Sequence, residues 1–257
     1  MMRKQLLKLA WTDTVKQYRG SAFGWAWAVI QPAFTIFVYW FGFSIGLRQN
    51  KPVDGYPRFL WLVAGMVPWF YMKAVIKDGA GSIRKYSYLV KRIKYPVDTI
   101  PTFVSISDLQ VNLMLQLIVI LIFWGAGYPP TKYLLQIPLF AIMAFLFFTA
   151  WSLFAGMLSV MSTDFLNLVK TIIPGLFWFS GILYDVHTIK GHEMLKQILL
   201  FNPVTIIVNG YRNSLVHHKW FWETPVEMRN YCLLVVIMSI LSIWAYNKLK
   251  KEIPDVL

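Results

Sequence analysis

The sequence predicts an all-α integral membrane protein, on three observations. Hydrophobic residues make up 57% of the 257-residue chain and charged residues only 14%, a balance too apolar for a soluble domain of this size. The apolar residues gather in runs close to the roughly 20 that a helix needs to cross a hydrocarbon core of about 30 Å. Lys and Arg number 25 against 12 Asp and Glu and fall mainly at the ends of those runs, so the formal charge of +13 points to lipid headgroups and not to nucleic acid. No cleavable signal is expected, because the first apolar run follows a charged segment and lacks a small-residue cleavage site. The single cysteine, Cys232, excludes an intrachain disulfide and is expected in the core.

Residues 1–20 set Arg3, Lys4, Lys8, Lys16 and Arg19 among Leu6, Leu7, Leu9, Trp11 and Val15, the pattern of an amphipathic helix lying in the membrane interface. The first span is 25–47, interrupted by Gln31 and Pro32. After a polar turn, the second is 59–76, with Gly65 and Pro68 inside it and Lys73, Lys77 and Asp78 at its end. Residues 82–97 then place Ile83, Tyr86, Leu89, Val90 and Ile93 at helical spacing with basic residues around them, and Pro96 and Pro101 disfavour helix in the residues before each. This segment reads either as a cytoplasmic helix that receives force from a partner or as a solvated basic loop that fixes topology.

The third span is 102–128. The fourth, 133–161, and fifth, 165–184, are joined by Ser162, Thr163 and Asp164 alone, which makes them an antiparallel hairpin. The last is 231–246, followed by Lys248, Lys250 and Lys251. Residues 199–216 are apolar but broken by Asn202, Pro203, Asn209, Gly210 and Arg212. Six spans put all three basic clusters and both termini in the cytoplasm, as the positive-inside rule prefers, whereas a seventh would separate them. Residues 199–216 are therefore expected as an outer re-entrant hairpin, and 1–257 as one transmembrane domain.

No GxxxxGK[ST] loop, GxSxG elbow or HExxH pair occurs, so the chain carries no nucleotide-splitting, serine-hydrolase or zinc-protease signature. On the third span Asp108, Asn112 and Gln116 recur every four residues as one polar stripe, fitting either glue between helices or a pore lining. Aromatics are dense: Trp25, Trp27, Tyr39, Trp69, Phe70, Tyr71, Phe177, Trp178, Phe179 and Tyr184 suit an interfacial belt or the apolar faces of sugar rings. Arg19 and the N-terminal lysines can meet a pyrophosphate or ordinary headgroups.

An ordered set of motifs carries a resemblance: Tyr18-Arg19-Gly20-Ser21 leading to Gly24-Trp25 and Gln31-Pro32; Phe59-Leu60 with Ala64-Gly65 and Trp69; Leu89 through Pro96 with Ile100-Pro101; and Asn202-Pro203 ahead of Tyr211 through Leu215. From about residue 10 onward the chain resembles the permeases of ABC-2 type polysaccharide exporters, most of all the wall teichoic acid group, TagG or TarG. It departs from many of them in having Thr163-Asp164 for an Arg-Asp pair and Ser180-Gly181-Ile182 for a Ser-Pro-Ile-like turn.

The resemblance implies the ABC-2 (type V exporter) fold and a homodimer in the bacterial cytoplasmic membrane, bound to two copies of a separate ABC ATPase that holds ATP and Mg. This chain would bind no cofactor and would not itself be an enzyme, and the complex would be a translocase. Arg84, Lys85, Tyr88, Leu89, Lys91, Arg92, Lys94 and Tyr95 would form the coupling helix, and Asn202, Pro203, Tyr211 and Arg212 would mark the re-entrant segment. A polymer on undecaprenyl pyrophosphate would pass Arg19, Trp25, Trp27, Tyr39, Trp69, Tyr71, Asp108, Asn112, Phe177, Trp178 and Tyr184. The rival readings are an O-antigen or capsule permease, a membrane-embedded transferase using Asp108, and a small-molecule efflux permease.

Overall fold

The computed structural model describes residues 2–46, 51–93 and 95–257, with the side chains of Met2, Arg3, Arg92, Ile93, Pro254 and Asp255 outside the description. Leu47, where the first span was expected to end, and Lys94 of the expected coupling helix also lie outside it. Among the described residues eleven α-helices follow one another: α1 Met2–Tyr18, α2 Trp27–Phe41, α3 Arg58–Lys85, α4 Ser87–Ile93, α5 Thr99–Gly125, α6 Ile137–Met161, α7 Thr163–Trp178, α8 Glu193–Leu200, α9 Pro203–Arg212, α10 Pro225–Leu249 and α11 Ile253–Val256. Among the described residues the one β-bridge pairs Val53 with Tyr56. Asp54 and Gly55 both take positive φ there, as a two-residue Asp-Gly turn requires.

The central helix is α3, in which every residue from Leu60 through Trp69 is buried. A helix apolar on all sides loses no face to water when neighbours surround it, and α5, α6, α7 and α9 do so. Its approach to α6 depends on small residues: a Cβ on Gly79 would overlap the Ser152 side chain, and one on Gly156 would lie 3.1 Å from Ile83.

Among the described residues, five stretches are long and apolar enough to cross a membrane: Gly24–Gly46, Arg58–Lys85, Thr99–Gly125, Lys132–Met161 and Pro225–Leu249. The predicted fifth span, 165–184, differs. It is realised as α7, which stops at Trp178, and its 16 residues extend about 24 Å, short of a ~30 Å core. The chain then turns through Gly181 at φ 61°.

The second span also differs from expectation, running on past Ile76 to Lys85 without a break, 28 residues or about 42 Å. The charged residues from Lys77 to Lys85 thus belong to the central helix, and only the kink at Tyr86 separates α4. The third begins at Thr99, so Pro101 lies inside its first turn, where a missing N–H removes no helical bond.

The N-terminal helix departs from an apolar-face pattern. Ala10, Asp13 and Thr14 are buried, while Leu7 and Trp11 are exposed, because the face against α5 is held by hydrogen bonds: Thr14 donates to Gln110 Oε1 and shares a bond with the Ser107 hydroxyl. Cys232 is exposed on α10, contrary to the core position expected of it. A second, smaller core gathers Ala10, Ile83, Leu89, Val90, Phe103, Met157, Val160 and Ile253 under α4, at the opposite end of α3 from the Asp-Gly turn.

Candidate functional site

A cavity of about 760 Å³ opens between α1, α2, α3 and α5. Each long helix supplies one face to it at helical spacing: Trp27, Ile30, Gln31, Phe34 and Thr35 from α2; Phe70, Tyr71, Ala74, Lys77 and Asp78 from α3; Asp108, Val111, Asn112 and Leu115 from α5. Lys73 on α3 and Gln17 and Tyr18 at the end of α1 complete it. Pro32 also lines the cavity, and having no N–H it leaves the Ala28 carbonyl on the same wall without its usual helical donor.

Within this wall the polar stripe of α5 divides. The Asn112 amide donates to the Val67 carbonyl at 2.9 Å, and Gln116 donates to Asn112 Oδ1 at 2.5 Å and to the Tyr211 hydroxyl. Those two therefore tie α5 to α3 and α9. Asp108 is buried, with Oδ1 accepting from Gln17 Nε2 at 3.4 Å and Oδ2 without a partner. The buried hydroxyl of Tyr71 on the same cavity is likewise unpartnered.

The sequence-predicted path residues are not all together. Trp27, Tyr71, Asp108 and Asn112 line the cavity. Trp69 and Phe177 are buried, and Trp69 and Tyr39 each pack a tilted ring against Phe177 between α2, α3 and α7, where they belong to the core. Trp25 is exposed and lies against Trp11 and Tyr18, while Arg19 and Trp178 are exposed and Tyr184 is half-buried. Sequence reasoning left out Gln17, Gln31, Lys73, Lys77 and Asp78. The four-residue spacing of Lys73 and Lys77 was the available signal, hidden by ending the helix at Ile76.

Around α4, two of the expected coupling residues turn inward. Arg84 donates to the carbonyls of Ser159 at 2.5 Å and Val160 at 3.0 Å, capping the C-terminal end of α6. Lys85 Nζ lies 2.9 Å from Asp13 Oδ1, and the same oxygen accepts from the Tyr86 hydroxyl. Burial, then the bond to Asp13, holds the Tyr86 phenol above its ordinary pKa. Leu89 is buried in the small core and Tyr95 is half-buried, whereas Tyr88 and Lys91 are exposed. The Arg92 side chain and Lys94 lie outside the described residues.

At the opposite end, Asn202 caps α9 by accepting from Val204 N at 2.9 Å, with Pro203 in the first turn. Arg212 is buried, donates to the carbonyls of Gly181 and Ile182, and sits 3.4 Å over the Trp61 ring. A Cβ on Gly65 would come within 2.6 Å of its guanidinium. Nearby, Glu227 Oε1 is 3.0 Å from His187 Nε2 and accepts from Asn209 at 3.0 Å. That bond, opposed by burial, raises the His187 pKa. No group of three or more metal-ligating side chains occurs among the described residues.

A family model described as "ABC-2 type transporter" matches residues 4–216. The O-antigen export system permease protein RfbA of Myxococcus xanthus is 24% identical over 248 residues, 96% of this chain and 91% of that protein. Two proteins of the same name from Klebsiella pneumoniae are each 23% identical, covering 95% of this chain and 92% of their own length.

Proposed function

The chain belongs to the ABC-2 type transporter family, and on that premise we propose that it is the permease subunit of an ATP-driven exporter of a lipid-linked cell-surface polysaccharide. The observation that carries this reading is the cavity, which joins the aromatic rings of Trp27, Phe34 and Phe70 to the polar side chains of Gln17, Gln31 and Thr35 and has Lys73 and Lys77 beside them. Sugar rings present apolar faces and hydroxyl edges, and a phosphate-linked carrier adds the charge that lysines attract.

Two such chains form the transport path, and two copies of a separate ATPase supply the energy through α4. Tyr88 and Lys91, exposed on a helix otherwise seated in the small core, support that docking role. The segment 199–216 forms the outer re-entrant hairpin, supported by the helix break at Phe201 and Asn202 and by burial from Val204 through Val216, which shields the interrupted backbone. The names of the three relatives favour an O-antigen-type polymer. A wall teichoic acid is the second reading, favoured by the ordered motifs.

The test is ATP hydrolysis by the chain co-purified in lipid nanodiscs with the ATPase encoded beside it, with each undecaprenyl-linked precursor in turn. Stimulation by one precursor identifies the polymer class. Failure to hold any ATPase, or hydrolysis indifferent to both precursors, removes the exporter reading.

A further inference from the structure

A helix as short as α8, Glu193–Leu200, does not persist in water on propensity alone, so it is held by what covers its apolar side. The protein covers little of that side. Leu199 is buried, but Met194 and Ile198 are 80% and 62% exposed, and Leu195 and Phe201 are exposed beside them. Met194, Ile198 and Phe201 recur four and three residues apart, which sets them on one side of the helix, whereas Glu193 and Gln197 lie on another and are exposed as well. The helix is amphipathic, and its apolar stripe is bare.

What meets the stripe follows from where α8 is stitched to the bundle. The Asn230 amide, in the first turns of α10, donates to the Leu200 carbonyl at 3.2 Å, and the Asn202 amide donates at 2.9 Å to Ser180 Oγ, just past the end of α7. Both neighbours turn apolar side chains outward there: Val226 and Leu233 on α10, Trp178 and Phe179 at the end of α7. On α10 the outward surface continues through Val236, Ile240 and Ile243 without a charged residue, in a stretch apolar enough to cross a membrane. The α8 stripe thus prolongs the lipid-facing surface of the bundle to its rim. Exposed cations stand at the same rim, Lys190 ahead of α8 and Arg229 one turn from both Val226 and Leu233. A leaflet surface matches both features, since acyl chains take the stripe and anionic phosphates take the cations.

We propose that α8 is a membrane-surface anchor, with Met194, Leu195, Ile198 and Phe201 in the acyl boundary of an anionic leaflet and Lys190 and Arg229 at its phosphates. The leaflet then helps to position α9, which follows directly and carries Arg212 to the carbonyls of Gly181 and Ile182. This goes beyond the exporter reading and holds whatever the cargo.

The test uses the full chain with Cys232→Ser in phosphatidylglycerol nanodiscs, carrying one environment-sensitive fluorophore at Ile198→Cys or at Gln197→Cys. Lipids with a nitroxide near the top or at the middle of the acyl chain probe depth, and iodide probes water. The Ile198 label is expected to be quenched several-fold more by the shallow nitroxide than by the deep one or by iodide, and the Gln197 label chiefly by iodide. Quenching of the Ile198 label mainly by iodide leaves the stripe in water, and quenching mainly by the deep nitroxide makes α8 part of a segment inserted in the bilayer. Resistance to all three means that protein, such as a second copy, covers the stripe; each of these results overturns the anchor. Hydrogen exchange within 193–200 reads the charge. It should quicken about fivefold when phosphatidylcholine replaces phosphatidylglycerol, the scale of one cation at an anionic surface, and lose that difference in Lys190→Gln/Arg229→Gln. Equal exchange in the two lipids, or a difference that survives the double variant, overturns the anionic partner.

Discussion

Asp13 in α1 holds the Lys85 ammonium at 2.9 Å, so the N-terminal helix is tied to the last residue of the central one. Asp13 is buried and Lys85 half-exposed, and Tyr86 shares the same carboxylate oxygen. Four residues along α1, Gln17 reaches Asp108 in the cavity. The first helix therefore touches both the α3–α4 junction and the candidate site.

Removing Asp13 leaves the Tyr86 hydroxyl buried without its acceptor. Asp13→Ala is expected to destabilise the protein by about 1–3 kcal/mol, and Lys85→Met by less because the ammonium reaches water. Thermal unfolding of the purified variants checks the order; equal losses would contradict it.

Arg212 offers a planar fork to two carbonyls and a flat face to Trp61. Lysine supplies neither, so Arg212→Lys should lose roughly 2 kcal/mol despite keeping the charge. A variant as stable as the parent in denaturant titration would show that the charge alone is what matters.

Gly79 lies against Ser152 where α3 and α6 are closest. Gly79→Ala should cost about 1–3 kcal/mol by forcing the helices apart, with partial recovery in Gly79→Ala/Ser152→Gly. Yield of folded protein by size-exclusion chromatography measures both, and a double variant no better than the single one refutes the contact.

His187 has its pKa raised from 6.5, first by the bond to Glu227; Asp185 adds to the shift while burial and Lys196 oppose it. A raised pKa means that protonation favours the folded state. The contribution is complete below pH 6.5 and is lost as pH rises through the folded value. Because His187 is half-exposed, its size is under about 1 kcal/mol after solvent screening. Hydrogen exchange across 199–216 should quicken over that interval in the parent beyond its intrinsic pH dependence, and less so in His187→Gln; equal extra quickening would dismiss the pair.

On α4, the exposed Lys91 is expected to face the ATPase. Replacing it together with Arg92 and Lys94 by Glu should lower ATPase co-purification or uncouple hydrolysis from export. Normal export by the triple variant would rule out docking there.

The sequence made the bilayer-crossing runs legible because each needs only local apolarity, which survives any tertiary arrangement. It made the length of α3 illegible. Lys77 and Asp78 look like the end of a span, yet Gly79 to Ser82 are small enough for α6 to pack against the helix and carry it on to Lys85. The roles within the polar stripe depend on Val67 and Tyr211, remote in sequence, so periodicity found Asp108, Asn112 and Gln116 together but could not part them. The aromatics divided for the same reason: Trp27 meets open space, whereas Trp69 meets Phe177.

Pro68 gives the central helix a joint. Lacking an N–H, it leaves the Ala64 carbonyl without its helical bond. The arm before it is fastened where Arg212 grips Trp61, and the arm after it where Asp13 grips Lys85. The turn that lacks a hydrogen bond lies two residues from Phe70 and three from Tyr71. The part of α3 that lines the cavity, Phe70 to Asp78, thus lies wholly between that joint and the tie at Lys85, on the arm that α1 holds.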